Sequence, residues 1–339
     1  MIEAAKQLAT YCTAESRCAA MFSNMIGRDL DLYSTWKAML QSFDGLYLGQ
    51  NPCVNRLNYS FPAKQLSDSV KSWLNTVRQK SGGVFLLPGL LKLVHRCQPN
   101  DLTAISEMLI ESGVDEVSAP GGVYDQIEDE SPILSGLIIV SEMWVEPSPS
   151  WEDEVGTAAQ SVFSLPLSLD FANICIFSAD ASHPACGALK EMTNLTIKEL
   201  NPVPFKYKPD QYHTKIATIP DHASVMVING KLDFNTIRAY GVHQYEAMQG
   251  GRGKMMVDFP FGPHCAGTIP TSDDDHTECG PRIIASYLLN NGDTKSVNTS
   301  CLDEGPTHFL RTHLLTADDL VRQYVEIPAQ QYGPYTTHA

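Results

Sequence analysis

Over the first 130 residues the apolar positions recur with the period of an α-helix. Spacings of three and four residues place these side chains on one face of a helix. Two such stripes are Leu66, Val70, Trp73, Leu74 and Val77, and Leu102, Ile105, Met108 and Leu109. The second stripe ends at Gly113, a residue type common just past a helix end, and another helix is expected over Leu32 to Phe43. The pattern predicts a helical region over residues 1–130.

From residue 131 the helical stripes give way to short, continuous apolar runs. Three runs, at 133–140, 223–229 and 254–259, are predicted to be strands. The segment 235–248 between the second and third runs is long enough for a crossover helix, which makes a strand–helix–strand unit. Continuous apolar strands are typical of sheets buried on both faces. We therefore predict an α/β architecture for residues 131–328.

Helix signals return near the end of the chain. Pro281 stands where a helix through Leu289 begins, and Gly292 follows the end of that helix. Thr316 with Asp319 three residues later predicts a capped helix start. Residues 329–339 are expected to form a disordered tail.

Charge and hydropathy exclude several classes of protein and partner. The chain has 24 basic and 39 acidic residues, a net charge of −15, and 43% apolar residues, a composition unlike that of a disordered chain. A phosphate-binding surface needs clustered Lys and Arg, which the sequence lacks, so nucleic acid is excluded as an expected partner. The longest apolar stretch, 83–94, is too short to cross a bilayer, and we expect no membrane insertion by this chain.

Nine cysteines and three glycosylation sequons favour an oxidising compartment. The sequons begin at Asn58, Asn194 and Asn298, and we expect a secreted glycoprotein. The cysteines lack zinc spacing, and the acidic loop 271–278 lacks the spacing of a calcium loop, so no metal or cofactor is expected. The first residues lack the apolar segment that a secretory signal contains. We therefore expect secretion only if a segment that precedes residue 1 is missing from the sequence.

Two polar residues follow the second and third predicted strands. Asp233 comes after the turn residue Gly230, and His264 lies in the loop after 254–259. One crossover helix brings the ends of both strands to the same sheet edge, where sites of open α/β sheets lie. An Asp that accepts an imidazole N–H leaves the other ring nitrogen as a general base. The structural alternative is an Asp that caps a turn and a His that packs or lies on the surface.

This region resembles the tripeptidyl-aminopeptidase and proline-iminopeptidase-like serine peptidases. Residues 217–233, ATIPDHASVMVINGKLD, are similar to the segment that ends at the family's catalytic Asp. Residues 259–267, FPFGPHCAG, are similar to its catalytic His loop. The resemblance covers about residues 200–310. It implies the C-terminal part of an α/β-hydrolase fold, with Asp233 and His264 as the Asp and His of a Ser–Asp–His triad, an order typical of that fold.

Two further segments extend the resemblance. Cys279, the helix before Leu289, Gly292 and Cys301 resemble the tripeptidyl-aminopeptidase-like C-terminal region, in which two cysteines flank a final helix. This implies a Cys279–Cys301 disulfide. More loosely, HRCQPND at 95–101 and the helices before it resemble the family's lid, which implies a helical lid over 1–130.

The chain departs from the family pattern in its missing nucleophile. Neither Gly-x-Ser-x-Gly nor a His-Gly-Gly oxyanion segment occurs in the 339 residues, and Pro263 stands where relatives usually have Gly. We therefore expect the C-terminal portion of a secreted serine exopeptidase, starting at the lid and inactive alone, whose substrate is the N-terminal part of a peptide. The alternatives are a secreted non-catalytic binding protein and a related esterase-type hydrolase.

Other candidate residues rest on weaker signals. Glu142 is the candidate to hold the substrate's free ammonium, and Trp144 to line the pocket, against a solvated or capping Glu and a packing Trp. Cys12 with Cys18 and Cys53 with Cys97 are further candidate disulfides. Because pairing cannot be deduced from sequence, these two pairs stay open.

Overall fold

The structure is a computed structural model of the chain. It describes residues 2–25, 31–47, 49–63, 65–78, 82–111, 131–138, 140–141, 147–163, 168–178, 180–193, 208–212, 215–266, 279–303 and 314–326. The chain divides into two compact units, one of Met1–Ser118 with Ala217–Ala339 and one of Ala119–Ile216. Since residues 112–130 lie outside the described part, the division expected at 130 and 131 stays a prediction.

The N-terminal part of the first unit is helical. Its helices are α1 (Ile2–Ala14), α2 (Ser16–Phe22), α3 (Leu32–Phe43), α4 (Pro52–Ser60), α5 (Leu66–Arg78), α6 (Leu87–Arg96) and α7 (Pro99–Glu111), with a 3-10 turn at Gly83–Leu86. The helix predicted over 32–43 and the helices predicted from the two apolar stripes are confirmed as α3, α5 and α7. Their apolar faces are buried, with Trp36 and Trp73 among the most enclosed side chains. Burial of these stripes stabilises the helices against each other.

Two short parallel sheets follow in the same unit. The elements are β1 (Thr218–Ile219), β2 (Ser224–Gly230), α12 (Arg238–Ala247), β3 (Gln249–Gly250) and β4 (Gly253–Phe259). β1 pairs with β3, and β2 pairs with β4 so that Ser224 lies opposite Gly253 and Gly230 opposite Phe259. The predicted strand–helix–strand unit is therefore confirmed, and both longer strands end at the same edge.

The two faces of the β2–β4 sheet differ in burial. On one face Val257 and Phe259 pack with Ile283 of α13 (Cys279–Leu289), and Tyr287 of α13 donates a hydrogen bond of 2.9 Å to the Ser224 carbonyl. On the other face α12 buries none of its own residues. β2 is accordingly half-buried over most of its length. This is less burial than expected for a strand covered on both faces. The α/β-hydrolase fold stays a prediction.

The end of the first unit returns to the N-terminal helices. A 3-10 turn at Ser300–Asp303 precedes α14 (Ala317–Val321), which continues into a π-helical turn at Arg322–Glu326. The capping box predicted from Thr316 and Asp319 is present. α14 lies against α6, where a side chain at Gly89 would meet the Leu315 carbonyl. Glycine permits this close approach.

The regular secondary structure described in the second unit is helical. Its helices are α8 (Pro132–Ile138), α9 (Trp151–Gln160), α10 (Ser168–Ser178) and α11 (Pro184–Thr193). The strand predicted at 133–140 is wrong, because Pro132–Ile138 is a helix. The backbone at Gly136 lies close to Asn173 and Phe177 of α10, so this apolar run is used in helix packing. A short apolar run alone does not distinguish a strand from a buried helix.

Four disulfides are formed, and three of them join pairs that the sequence had suggested. Those three are Cys12–Cys18, Cys53–Cys97 and Cys279–Cys301, while Cys175–Cys186 between α10 and α11 was not predicted. Four disulfides are compatible with an extracellular protein.

Within the described ranges, no helix has the length and apolar character needed to cross a membrane. Gly113, the acidic loop 271–278 and the tail 329–339 lie outside those ranges.

Candidate active site

Asp233 and His264 lie in contact just beyond the carboxyl ends of β2 and β4. Nδ1 of His264 is 3.1 Å from Oδ2 and 3.3 Å from Oδ1 of Asp233. A carboxylate oxygen accepts hydrogen bonds, so the contact fits a neutral ring that carries its proton on Nδ1 and donates it to Asp233. This tautomer leaves Nε2 with a lone pair. The two residues expected to meet at this edge are brought together.

The loops that carry the pair are tied to each other by their backbones. Lys231 donates to the Phe259 carbonyl and Leu232 to the Gly262 carbonyl, each at 3.0 Å. A side chain at Gly230 would collide with the Gly262 and Pro263 carbonyls, so this crossing of two chains requires glycine. The pairing of β2 with β4 therefore continues into the loops and fixes the spacing of Asp233 and His264.

The Asp233 carboxylate is buried and receives several hydrogen bonds. Oδ1 accepts the backbone N–H groups of Asn235 and Thr236, each at 2.8 Å. Oδ2 accepts the Thr236 hydroxyl at 2.8 Å, and Asp233 is only 6% exposed. The two backbone hydrogen bonds show that Asp233 caps a turn, as expected if its role were only structural. The contact with His264 is additional to that turn. Asp233 thus has both the capping geometry and the orienting geometry.

The His264 side chain is 47% exposed, in contrast to its buried partner. The Thr236 hydroxyl oxygen lies 3.3 Å from its Nδ1, so the ring faces both the carboxylate and this hydroxyl. The next residue, Cys265, has a positive φ of 61°, uncommon for a residue other than glycine. Local backbone strain of this kind is found preferentially at functional sites. Chemically, the arrangement holds an imidazole ready to accept a proton from a group outside it.

The N-terminal helices contact the loops on both sides of the pair. The Tyr11 hydroxyl of α1 donates to the Pro260 carbonyl at 2.7 Å, and its ring lies 4.8 Å from that of Phe261. Burial raises the pKa of Tyr11, which keeps the hydroxyl protonated as a donor. Arg78 of α5 donates to the side chain of Asn235 at 2.7 Å. Sequence reasoning missed both contacts, since nothing in the local pattern links positions this far apart.

The remaining predicted site residues fall into those that the structure describes and those that it does not. Glu142, Trp144 and Asn194 lie outside the described residues. Asn58 lies in α4, and Asn298 lies on the surface before Ser300. Cys279 and Cys301 form the disulfide at the covered face of the sheet.

Groups of three or more metal-ligating side chains are absent from the described ranges. Comparison with known proteins adds no neighbour, because no family model, curated protein or solved structure matches the chain.

Proposed function

We propose that Asp233 and His264 are the Asp and His of a Ser–Asp–His hydrolase of the serine exopeptidase type. The observation that carries the proposal is the contact between His264 Nδ1 and the buried Asp233 carboxylate at the end of two parallel strands. In open α/β sheets this edge is the usual place of a site. The peptidase assignment comes from the resemblance of 217–233 and 259–267 to that family.

In the proposed reaction, Asp233 fixes the tautomer of His264 and stabilises its protonated form. Nε2 of His264 takes the proton from a serine hydroxyl as its oxygen attacks the peptide carbonyl. The same proton then passes from Nε2 to the leaving amine, so the C–N bond breaks and an acyl-enzyme remains. Water repeats the cycle and releases the acid. A buried carboxylate beside a half-exposed imidazole suits these two roles.

The proposed nucleophile is a serine outside the 339 residues, because the chain contains no Gly-x-Ser-x-Gly motif. The oxyanion hole is proposed to lie beside that serine. The proposed substrate is a peptide with a free N-terminus, with Glu142 as the residue that holds its ammonium and Trp144 as part of the pocket. The complete protein is proposed to act outside the cell, in keeping with the disulfides.

A non-catalytic binding protein is the second candidate, favoured by the same missing motif. In that case Asp233 serves only to cap its turn, and His264 is a surface residue that packs against it. An esterase-type hydrolase shares the pair and differs only in its substrate. A serine whose reactivity depends on His264 would be present in the catalytic candidates and absent from the binding protein.

Covalent labelling with a fluorophosphonate tests the proposal. The 339-residue chain is expected to remain unlabelled, and a protein joined to an upstream in-frame segment with Gly-x-Ser-x-Gly is expected to be labelled. His264→Gln should abolish that labelling, whereas His222→Gln, a change at an exposed histidine before β2, should not. Stop codons upstream in every frame, or labelling that survives His264→Gln, would refute the proposal.

A further inference from the structure

We infer that Arg78 of α5 is a positioning residue for the Asp233–His264 pair, acting through Asn235. The inference rests on the proposed function, since it concerns the same two residues. Arg78 lies in the helical region 1–130, the expected lid, 157 residues from Asn235. Its role would make the geometry of the pair depend on a helix far away in sequence.

Asn235 is bonded in two directions at once. Its backbone N–H donates to Asp233 Oδ1 at 2.8 Å. Its side-chain Oδ1 accepts the Nη1 hydrogen of Arg78 at 2.7 Å. A displacement of the Asn235 side chain therefore moves a donor of the Asp233 carboxylate. The adjoining Thr236 supplies the other two donors and faces His264 as well.

Arg78 is itself held in one orientation. Its Nε donates to the Asn75 side chain one turn earlier in α5 at 3.0 Å. Its guanidinium carbon lies 5.8 Å from the centre of the Phe234 ring, the residue that follows Asp233. Phe234 is 2% exposed, so this cation–π contact is shielded from water. Arg78 thus touches two consecutive residues of the Asp233 loop with different parts of its planar group.

The positive charge of Arg78 also interacts with the negative charge of Asp233. Arg78 is buried, and desolvation lowers its pKa, while the negative charge of Asp233 opposes that change. Among the described residues, no carboxylate lies within ion-pair distance of its guanidinium. A buried cation whose hydrogen bonds go to neutral amides is costly unless a nearby anion offsets the desolvation. The orienting carboxylate is the anion that interacts with it favourably.

The alternative is that Arg78 only fastens α5 to a surface loop. In that case its loss would lower stability without changing the state of His264. Lys71 offers a matched control, because it is another buried cation of α5 and pairs with Asp68 at 3.5 Å within the same helix. Lys71→Met removes a buried charge of α5 away from the Asp233 loop. The two variants separate a positioning effect from a general loss of stability.

The experiment uses the full 339-residue chain with ¹⁵N-labelled histidine, and its readout is the Nδ1 proton of His264, assigned with His264→Gln. Arg78→Met and Asn235→Ala should each speed exchange of that proton by about tenfold, the scale of one hydrogen bond to a charged group. The double variant should add little to either single variant, because both remove the same link. Lys71→Met should leave the exchange rate unchanged.

Arg78→Lys and Arg78→Gln keep the test valid if the methionine variant does not fold. Lysine keeps the charge and glutamine keeps a donor, and each is expected to give exchange between that of Arg78→Met and the unchanged chain. If Asp233→Asn removes the His264 signal and Arg78 variants leave it unchanged, the inference is wrong while the pair stands. If Asp233→Asn itself leaves the signal unchanged, the pair of the proposed function is wrong.

Discussion

Nδ1 of His264 lies 3.1 Å from Oδ2 of Asp233 across 31 residues of sequence. The contact is asymmetric, because the carboxylate is buried and holds three further hydrogen bonds while the imidazole is nearly half exposed. Because Asp233 is held in place and the His264 ring is partly exposed, the orientation of the ring depends on the Asp233 carboxylate. Substitutions on that side are therefore the most informative.

Asp233→Asn is expected to preserve the fold and lose the orientation of His264. The amide oxygen can still accept the two backbone N–H groups, but the amide nitrogen cannot accept from the Thr236 hydroxyl or the imidazole. We expect a loss of about 1–3 kcal/mol in unfolding free energy, measured by urea denaturation. NMR should show that the Nδ1 proton of His264 is no longer protected from exchange.

Asp293 provides the control for that substitution. It accepts a backbone N–H from Lys295 and a hydroxyl hydrogen from Ser296, as Asp233 accepts both kinds of donor in its own turn. Unlike Asp233, it is solvent-exposed, and none of the described histidines is hydrogen-bonded to it. Asp293→Asn should leave the His264 signal unchanged. An equal effect of both substitutions on His264 would contradict the orienting role of Asp233.

Arg96 is expected to be a major contributor to stability at the end of α6. Its Nε and Nη2 donate to the fully buried carboxylate of Asp101 at 2.9 and 2.7 Å. Those bonds raise the pKa of Arg96 above its already high usual value. Arg96→Met leaves Asp101 with the Gln98 N–H as its remaining contact in the described structure. We expect a loss of about 3 kcal/mol, because the carboxylate stays buried without its cation.

Asp318 tests whether the stability lost in Arg96→Met arises because the Asp101 carboxylate is buried. It also accepts from Arg96, at 2.6 Å, but its side chain is 77% exposed. Asp318→Asn should lower the unfolding free energy by less than about 1 kcal/mol, as exposed pairs do. Thermal or urea unfolding of the two variants measures the difference. Equal losses for Arg96→Met and Asp318→Asn would show that burial is not the cause.

The disulfides are expected to contribute according to the length of chain that they close. Cys53–Cys97 spans 44 residues and Cys12–Cys18 spans 6. In the chain-entropy model their removal costs about 4 and about 2 kcal/mol, respectively. Urea unfolding of the paired Cys→Ser variants measures both values. The reverse order would mean that effects on the folded state exceed the entropy of the unfolded chain.

Of the two described sequons, Asn298 is expected to carry a glycan and Asn58 to remain bare. Asn298 is exposed, whereas Asn58 lies in α4 and its side-chain oxygen accepts from Ser69 at 2.7 Å and from Ala63 at 3.2 Å. Peptide mapping after secretion from a eukaryotic cell tests this. Asn298→Gln should remove a glycosidase-sensitive mass shift, and Asn58→Gln should not. A glycan found on Asn58 would contradict the expectation.

Local patterns predicted the elements that place the pair. The run 223–229 is rich in β-branched residues, and one crossover helix before 254–259 requires that both strands end at the same edge. The residues that follow the two strands, Asp233 and His264, are thereby predicted to meet. By contrast, the apolar run at 133–140 carries no period long enough to separate a strand from a helix, and it forms α8.

Contacts between distant parts of the chain could not be predicted from any local signal. Arg78 resembles the solvated end of an amphipathic helix in the sequence, and only the folded chain brings it to Asn235. The spacing of cysteines does not determine their pairing, so no sequence signal joins Cys175 to Cys186. Side chains that support a site from the opposite end of the sequence carry no pattern of their own.

The hydrogen bond from Tyr11 to Pro260 spans 249 residues, and the whole second unit lies within that span. Closing so long a segment costs chain entropy before any contact is gained, so such contacts tend to form late in folding. The loop before His264 therefore reaches its final position only when α1 has packed against it. A ribosome-bound chain that has not yet emerged to Pro260 cannot have an assembled site. In a protein whose proposed activity is to cut peptides, this order delays any catalytic geometry until both Tyr11 and the loop that begins at Pro260 have been synthesised.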